Sequence, residues 1–457
     1  MSKLTVWGWE WIHHSPVYQS WQSSQVRRWL GRATDFCLKN RFSLQILLIL
    51  TYRLALDLLY VKVISPLYGY AGLTMNFHPL FYGCTLLALL VISPAVARLQ
   101  EECISSSNLV TFLNYIYFIP LTSYCGCNWS GMGFFLAGLA YWTVLLLFQF
   151  HIPVLRFKPS SGGHRRWIYV LLTVLAVAVV MYVSGRYASF RLTFDIINVY
   201  DIRAEAAAYP LPGLISYALS MAGSVLAILL VYWLLRRKYM VCAVLVVVYM
   251  FLFSIAANKS LFFFLLLVLA SFSLFRPWMR QWLPALATAV AVAALLEYRF
   301  VHSYFLAGRF FRRVMYVPIS LSVAYRDYFR DNPVSLFRSG ILRWFSFSTI
   351  YSGNVANIIG AFRGHPNTHA NNGLLGDLYS NLPFLLGLVL LPLILVICFR
   401  LLDVTAKNLP EKLVVSSCVF FAISFSNVSW STVLLSNGFL ITCLLLYIFP
   451  EEGGLSQ

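Results

Sequence analysis

His365 and His369 stand four residues apart in the run GHPNTHANNGLLGDLYSN, which is rich in glycine, proline and asparagine. An imidazole titrates near neutrality, so either ring in such a loop can take a proton from a hydroxyl as a general base. Asn371, Asn372 and Asp377 follow in the same run. Upstream, Arg309, Arg312, Arg313 and Arg363 lie among aromatic and apolar residues. Guanidinium forks suit the oxygens of phosphate groups, which they grip from two sides. An earlier stretch, RYASFRLTFDIINVYDIRAEAAAYPLPG, contributes Arg191 and Arg203. At helical spacing Asp201 and Glu205 share a face while Arg203 points elsewhere, available to a substrate or, equally, to a surface ion-pair cluster. The two histidines have Asp377 nearby but no third ligand at helical spacing, so no metal is expected.

These residues are exceptions in a chain that is 60% hydrophobic and 11% charged. That composition excludes an ordinary water-soluble domain. Apolar runs of roughly 17 to 25 residues recur, each long enough to cross about 30 Å of hydrocarbon as a helix. An all-α, polytopic integral membrane protein of about twelve spans is expected, near 43–63, 79–97, 109–124, 132–150, 167–184, 213–235, 239–256, 260–275, 281–298, 381–401, 413–428 and 433–449. Residues 1–42 read as an interfacial amino-terminal segment, 43–298 as the first nine spans with a loop at 185–212, 299–380 as one large external loop, and 381–457 as three spans and a tail. The nine cysteines are scattered and form no disulfide framework.

Charge placement orients this layout. The chain carries a formal +18, and tryptophans mixed with basic residues in 1–42 predict a cytoplasmic interface. With both termini inside, nineteen of the 34 basic residues fall in inner segments, as the positive-inside rule requires. Twelve arginines and no lysine occupy two outer segments: three in 185–212 and nine in 299–380. They either bind an anion or pair with Asp195, Asp201, Glu205, Asp327, Asp331 and lipid headgroups. The arginine-studded stretch after His302 is expected to rest its Phe and Tyr face on the membrane surface with its guanidiniums upward. Asn332 and Pro333 look like the start of a further helix to about Phe345. Arg53 and Asp57, four apart in the first span, are expected to form an intrahelical ion pair.

The segment VYDIRAE and the run HANNGLLGDLYSN before a span, with one large late loop, resemble the Wzy-type oligosaccharide repeat-unit polymerases of bacterial O-antigen and capsule assembly. The pattern His365, His369, Asn371 is similar to the outer-loop histidine region of O-antigen ligases, which share the layout. The resemblance implies a GT-C-like fold in the bacterial inner membrane and glycosyl transfer at its periplasmic face. His369 and Arg203 would be catalytic, with Arg191, Arg309, Arg312, Arg313, Arg363, His365, Asn371, Asn372 and Asp377 binding substrate. The implied partners are undecaprenyl-diphosphate-linked oligosaccharide, membrane lipids, a chain-length regulator and a flippase, with no nucleic acid and no cofactor. A ligase, or a lipid-linked oligosaccharide flippase, is the rival expectation.

Overall fold

The computed structural model describes residues 41–102, 104–154, 165–192, 202, 205–206, 208–256, 259–338, 350–351, 353–366, 368–407 and 409–449. In chain order the helices are α1 (Phe42–Ala71), α2 (Pro79–Glu101), α3 (Ser105–Leu113), α4 (Ile119–Cys127), α5 (Met132–His151), α6 (Trp167–Tyr187), α7 (Gly213–Leu235), α8 (Tyr239–Ala256) and α9 (Lys259–Leu274). After these come α10 (Leu283–Val301), α11 (Val317–Asp331), α12 (Val355–Phe362), α13 (Leu375–Asn381), α14 (Phe384–Thr405), α15 (Glu411–Asn427) and α16 (Trp430–Tyr447). Eight of them, α1, α2, α5, α6, α7, α10, α14 and α16, are long and apolar enough to cross a membrane. The protein is therefore an all-α, multi-pass membrane protein. The remaining expected spans fall outside that set: α3 continues through the π-helical stretch Asn114–Phe118 into α4, and α8, α9 and α15 have 18, 16 and 17 residues.

Helix ends follow local chemistry. Proline opens α2 just after His78, whose ring accepts the Phe81 N–H at 3.4 Å, and Asn354 caps α12 by accepting the Ala356 N–H at 3.0 Å. Packing then builds the bundle: α1 lies against α2, α4 and α10, α3 against α15, α5 against α14, and α6, α7 and α8 against one another. In lipid, van der Waals fit and buried polar contacts hold such helices together. Trp142 of α5 stacks on Phe118 with centroids 5.1 Å apart. Arg53 is fully buried and pairs with Asp57, as their spacing predicts. Arg400 is buried in α14 beside Asp403 at 3.0 Å. Asp403 also accepts the Ser106 N–H at 2.6 Å, so it neutralises both the arginine and the first turn of α3. The seven cysteines among the described residues are free.

Two expectations for the stretch after α10 are corrected. Residues 307–331 form one continuous helix, π-helical over Ala307–Tyr316 and α-helical as α11. Glu297 starts it by accepting the Phe305 and Leu306 N–H groups, each at 2.9 Å. Its apolar face does not lie on the membrane surface. Phe311, Met315, Tyr316 and Ile319 are buried in the bundle, where the Tyr316 hydroxyl donates to the Leu56 carbonyl of α1 at 3.2 Å. A polar seam on α1 and α4 gives this crossing helix partners that a bilayer surface lacks. Asn332 also does not begin a helix. Its amide donates to the Tyr328 carbonyl at 2.8 Å and closes α11, and 333–338 is irregular, with Leu336 and Phe337 in the left-handed region. The interfacial segment up to residue 40 lies outside the described residues, as does the tail from 450.

Candidate functional site

The end of the bundle that carries the crossing helix, α12 and the histidine run is here termed the loop end. Its floor is the short connection from α1 to α2. Asn76 pairs with Asn128 there in an isolated bridge, with the Trp129 N–H donating to the Asn76 carbonyl at 2.9 Å. Gly72 turns the chain at φ +80, a conformation that side chains resist. Its carbonyl accepts the Tyr124 hydroxyl at 3.4 Å.

Two arginines from distant segments reach this floor. Arg312 lies over the Tyr68 ring, 4.3 Å from its centroid, and its Nε is buried without a hydrogen-bond partner among the described residues. Arg363, at the end of α12, donates to the Ala71 carbonyl at 2.8 Å and to Ser320 Oγ at 3.3 Å. Burial holds the Arg363 guanidinium below the usual arginine range, while Tyr124 acts in the opposite sense. Tyr68 and Ala71 are three residues apart, so the two side chains reach neighbouring points. Arg309 is exposed within electrostatic reach of Tyr68. Arg313 is exposed and has an interaction of its own.

The histidine run is built from α12. Gly364 at φ +80 ends that helix, the His365 N–H bonds the Gly360 carbonyl at 2.9 Å, and the Thr368 N–H bonds the His365 carbonyl at 3.0 Å. A Cβ at Gly360 would sit 2.0 Å from the Thr368 carbonyl oxygen, so only glycine lets the run fold back this closely. Ala370 is stitched down by Ala356 and by the Tyr325 hydroxyl, each at 3.0 Å. His365, His369 and Asn371 remain exposed, and neither imidazole bonds another described side chain. Asn372 and Asp377 are buried instead. Asn372 donates to Ser322 Oγ at 2.8 Å; Asp377 accepts from Asn381 and from the Trp430 N–H, both at 2.9 Å. Burial pushes the Asp377 carboxyl up to about 6, against those hydrogen bonds. Both residues hold backbone in place and turn no polar atom outward.

The other arginines keep different company. Arg191 pairs with Glu205 at 2.7 Å, and that hydrogen bond holds the Glu205 carboxyl below its ordinary value. Arg326 bridges to Asp327 at 2.7 Å and Arg330 to Asp331 at 3.2 Å. Arg203, Asp201 and Asp195 lie outside the described residues. Arg309, Arg312 and Arg363 thus gather without an acid partner among the described residues. Sequence reasoning missed Tyr68, Ala71, Gly72, Tyr124 and Ser320, which assemble them; the aromatic and glycine-rich run YGYAG after the first span was the available signal. Beside this cluster, Phe300, Val301, Tyr304 and Phe305 form an exposed apolar edge, at the end of a span only 17% buried in the protein. The chain matches no family model, no curated protein and no solved structure.

Proposed function

We propose that the protein is a glycosyltransferase that polymerises undecaprenyl-diphosphate-linked oligosaccharide repeat units into O-antigen or a related surface polysaccharide, at the periplasmic face of the bacterial inner membrane. The carrying observation is that Arg309 and Arg312, without acid partners among the described residues, flank Tyr68 beside Tyr304 of the exposed edge of Phe300, Val301, Tyr304 and Phe305, with Arg363 on the nearby Ala71 carbonyl. Cations open to water suit any anion. Cations at an apolar rim suit an anion with a hydrocarbon tail.

In this reading a hydroxyl of one lipid-linked unit attacks the anomeric carbon of the chain held on undecaprenyl diphosphate. A glycosidic C–O bond forms, the sugar–phosphate C–O bond breaks, and the diphosphate leaves with the bonding pair. His369 takes the hydroxyl proton, and Arg203 with the gathered arginines neutralises the leaving diphosphate. Deleting the gene in the source organism and viewing surface polysaccharide by gel tests this. A polymerase leaves a single-repeat product without longer chains, and His369→Ala or Arg312→Ala in a stably produced protein reproduces that pattern. Normal chain lengths in those variants remove the residues from the mechanism. Accumulated lipid-linked polymer would instead identify a ligase.

A transporter reading has one observation in its favour: a charged pair, Arg53–Asp57, is buried within α1, a candidate membrane span. Repeat units trapped on the inner side after deletion would select it.

A further inference from the structure

Four π-helical stretches occur among the described residues, Tyr60–Ile64, Asn114–Phe118, Glu297–Val301 and Ala307–Tyr316. They are not scattered. The last packs against the first two, and the third leads into it through the cap made by Glu297. A π turn widens the helix and disturbs the regular carbonyl ladder, so neighbouring side chains find carbonyls to bond. Here Tyr52 donates to the Tyr115 carbonyl at 3.1 Å and Asn427 to the Val314 carbonyl at 3.4 Å, while Tyr316, at the end of one such stretch, donates to the Leu56 carbonyl of α1 at 3.2 Å.

Tyr316 reaches further than the others. Its hydroxyl lies 3.2 Å from Ser123 Oγ, whose own proton goes to Asp57 Oδ1 at 2.6 Å. Asp57 also accepts the Tyr82 hydroxyl at 2.9 Å and pairs with Arg53. Arg53 in turn donates to Thr122 Oγ1 at 3.0 Å and to the Thr122 carbonyl at 2.7 Å. Gly126 makes room for it, since a Cβ there would stand 2.5 Å from Arg53 Nη2. Charge buried this deeply is held by every bond it makes, so the cluster resists displacement. Tyr316 sits four residues beyond Arg312 on the crossing helix, and a shift at one carries the other.

We propose that Tyr316 is a positioning residue: with its one hydroxyl proton shared between the Leu56 carbonyl and Ser123 Oγ above the Arg53–Asp57 pair, it fixes the crossing helix on the first span and thereby the place of Arg312 over Tyr68. The proposal rests on the reading above only for what that guanidinium holds. Its test reads local charge. With Arg309→Cys in the full chain, thiol reagents of opposite charge react at rates whose ratio reports the neighbouring Arg312, and mass spectrometry of the peptide isolates position 309 from the native cysteines. Adding Tyr316→Phe, or Ser123→Ala as a second variant, is expected to lower the anionic-to-cationic ratio about fivefold, as loss of one nearby unit charge does. Tyr351→Phe, whose hydroxyl bonds Pro333 elsewhere, leaves it unchanged. A ratio that stays constant while both rates rise together means general loosening and overturns the proposal, as does no change at all. Binding of inorganic pyrophosphate to the Tyr316→Phe protein, with Arg309 retained, separates the two ideas. A fallen ratio with weakened pyrophosphate binding supports both, whereas a fallen ratio in a protein that never bound pyrophosphate supports the positioning and removes the diphosphate reading.

Discussion

Asp377 and His369 stand eight residues apart in one run, yet one is sealed and the other open. The difference lies in what each faces. Asp377 is turned inward to the Trp430 N–H and Asn381, and burial lifts its carboxyl from 3.8 to about 6. A raised folded value means that the folded protein binds more protons than the unfolded chain between those two limits. Its contribution is then greatest below pH 3.8, shrinks as pH rises to about 6, and stays flat above. The expected outcome is that Asp377→Asn removes a pH slope worth roughly 3 kcal/mol across that window, measured by thermal unfolding in detergent at several pH values. An unaltered slope would place the titration elsewhere. The same scale separates the arginines: Arg330 pairs with Asp331, its neighbour in sequence, while Arg312 has the ring of Tyr68 from α1.

Among the elements, the histidine run depends on α12, and α12 depends on one close approach. Gly360→Ala drives a methyl into the Thr368 carbonyl, which cannot yield without moving the turn from His365 to Thr368. The expected cost is about 1–3 kcal/mol, local to that run. Hydrogen exchange should quicken at residues 365–370 while the bundle helices keep their protection. Gly353→Ala, which meets no atom within 4 Å, serves as the control and leaves both unchanged. Equal protection in the two variants would contradict this account of how the loop is held. The crossing helix shows the same dependence in a larger form. Its Phe and Tyr periodicity was plain in the sequence, but an apolar face fits a membrane surface and a bundle seam equally well. The choice was made by Tyr52, Leu56 and Ser123 on other segments.

For the whole molecule, the α1–α2 connection, α12 and the histidine run lie together at one end, while α14 runs from that end to Lys407 at the other. Phe77→Cys and His369→Cys are expected to react with an impermeant thiol reagent from the same side of sealed vesicles. Lys407→Cys should react only from the opposite side. Labelling of all three from one side would break the bundle described here and the proposed site with it.

The sequence by itself determined that this chain is helical and crosses a membrane many times, because the length of an apolar run is a one-dimensional property that the bilayer reads directly. It also determined the Arg53–Asp57 pair, since two residues four apart on a helix need no information from elsewhere. Tertiary structure alone decided which arginines are left without acids, that Arg400 is buried, and that the crossing helix enters the bundle. Those outcomes depend on partners such as Tyr68, Ala71 and Ser106, separated from them by hundreds of residues and brought near only when the helices pack.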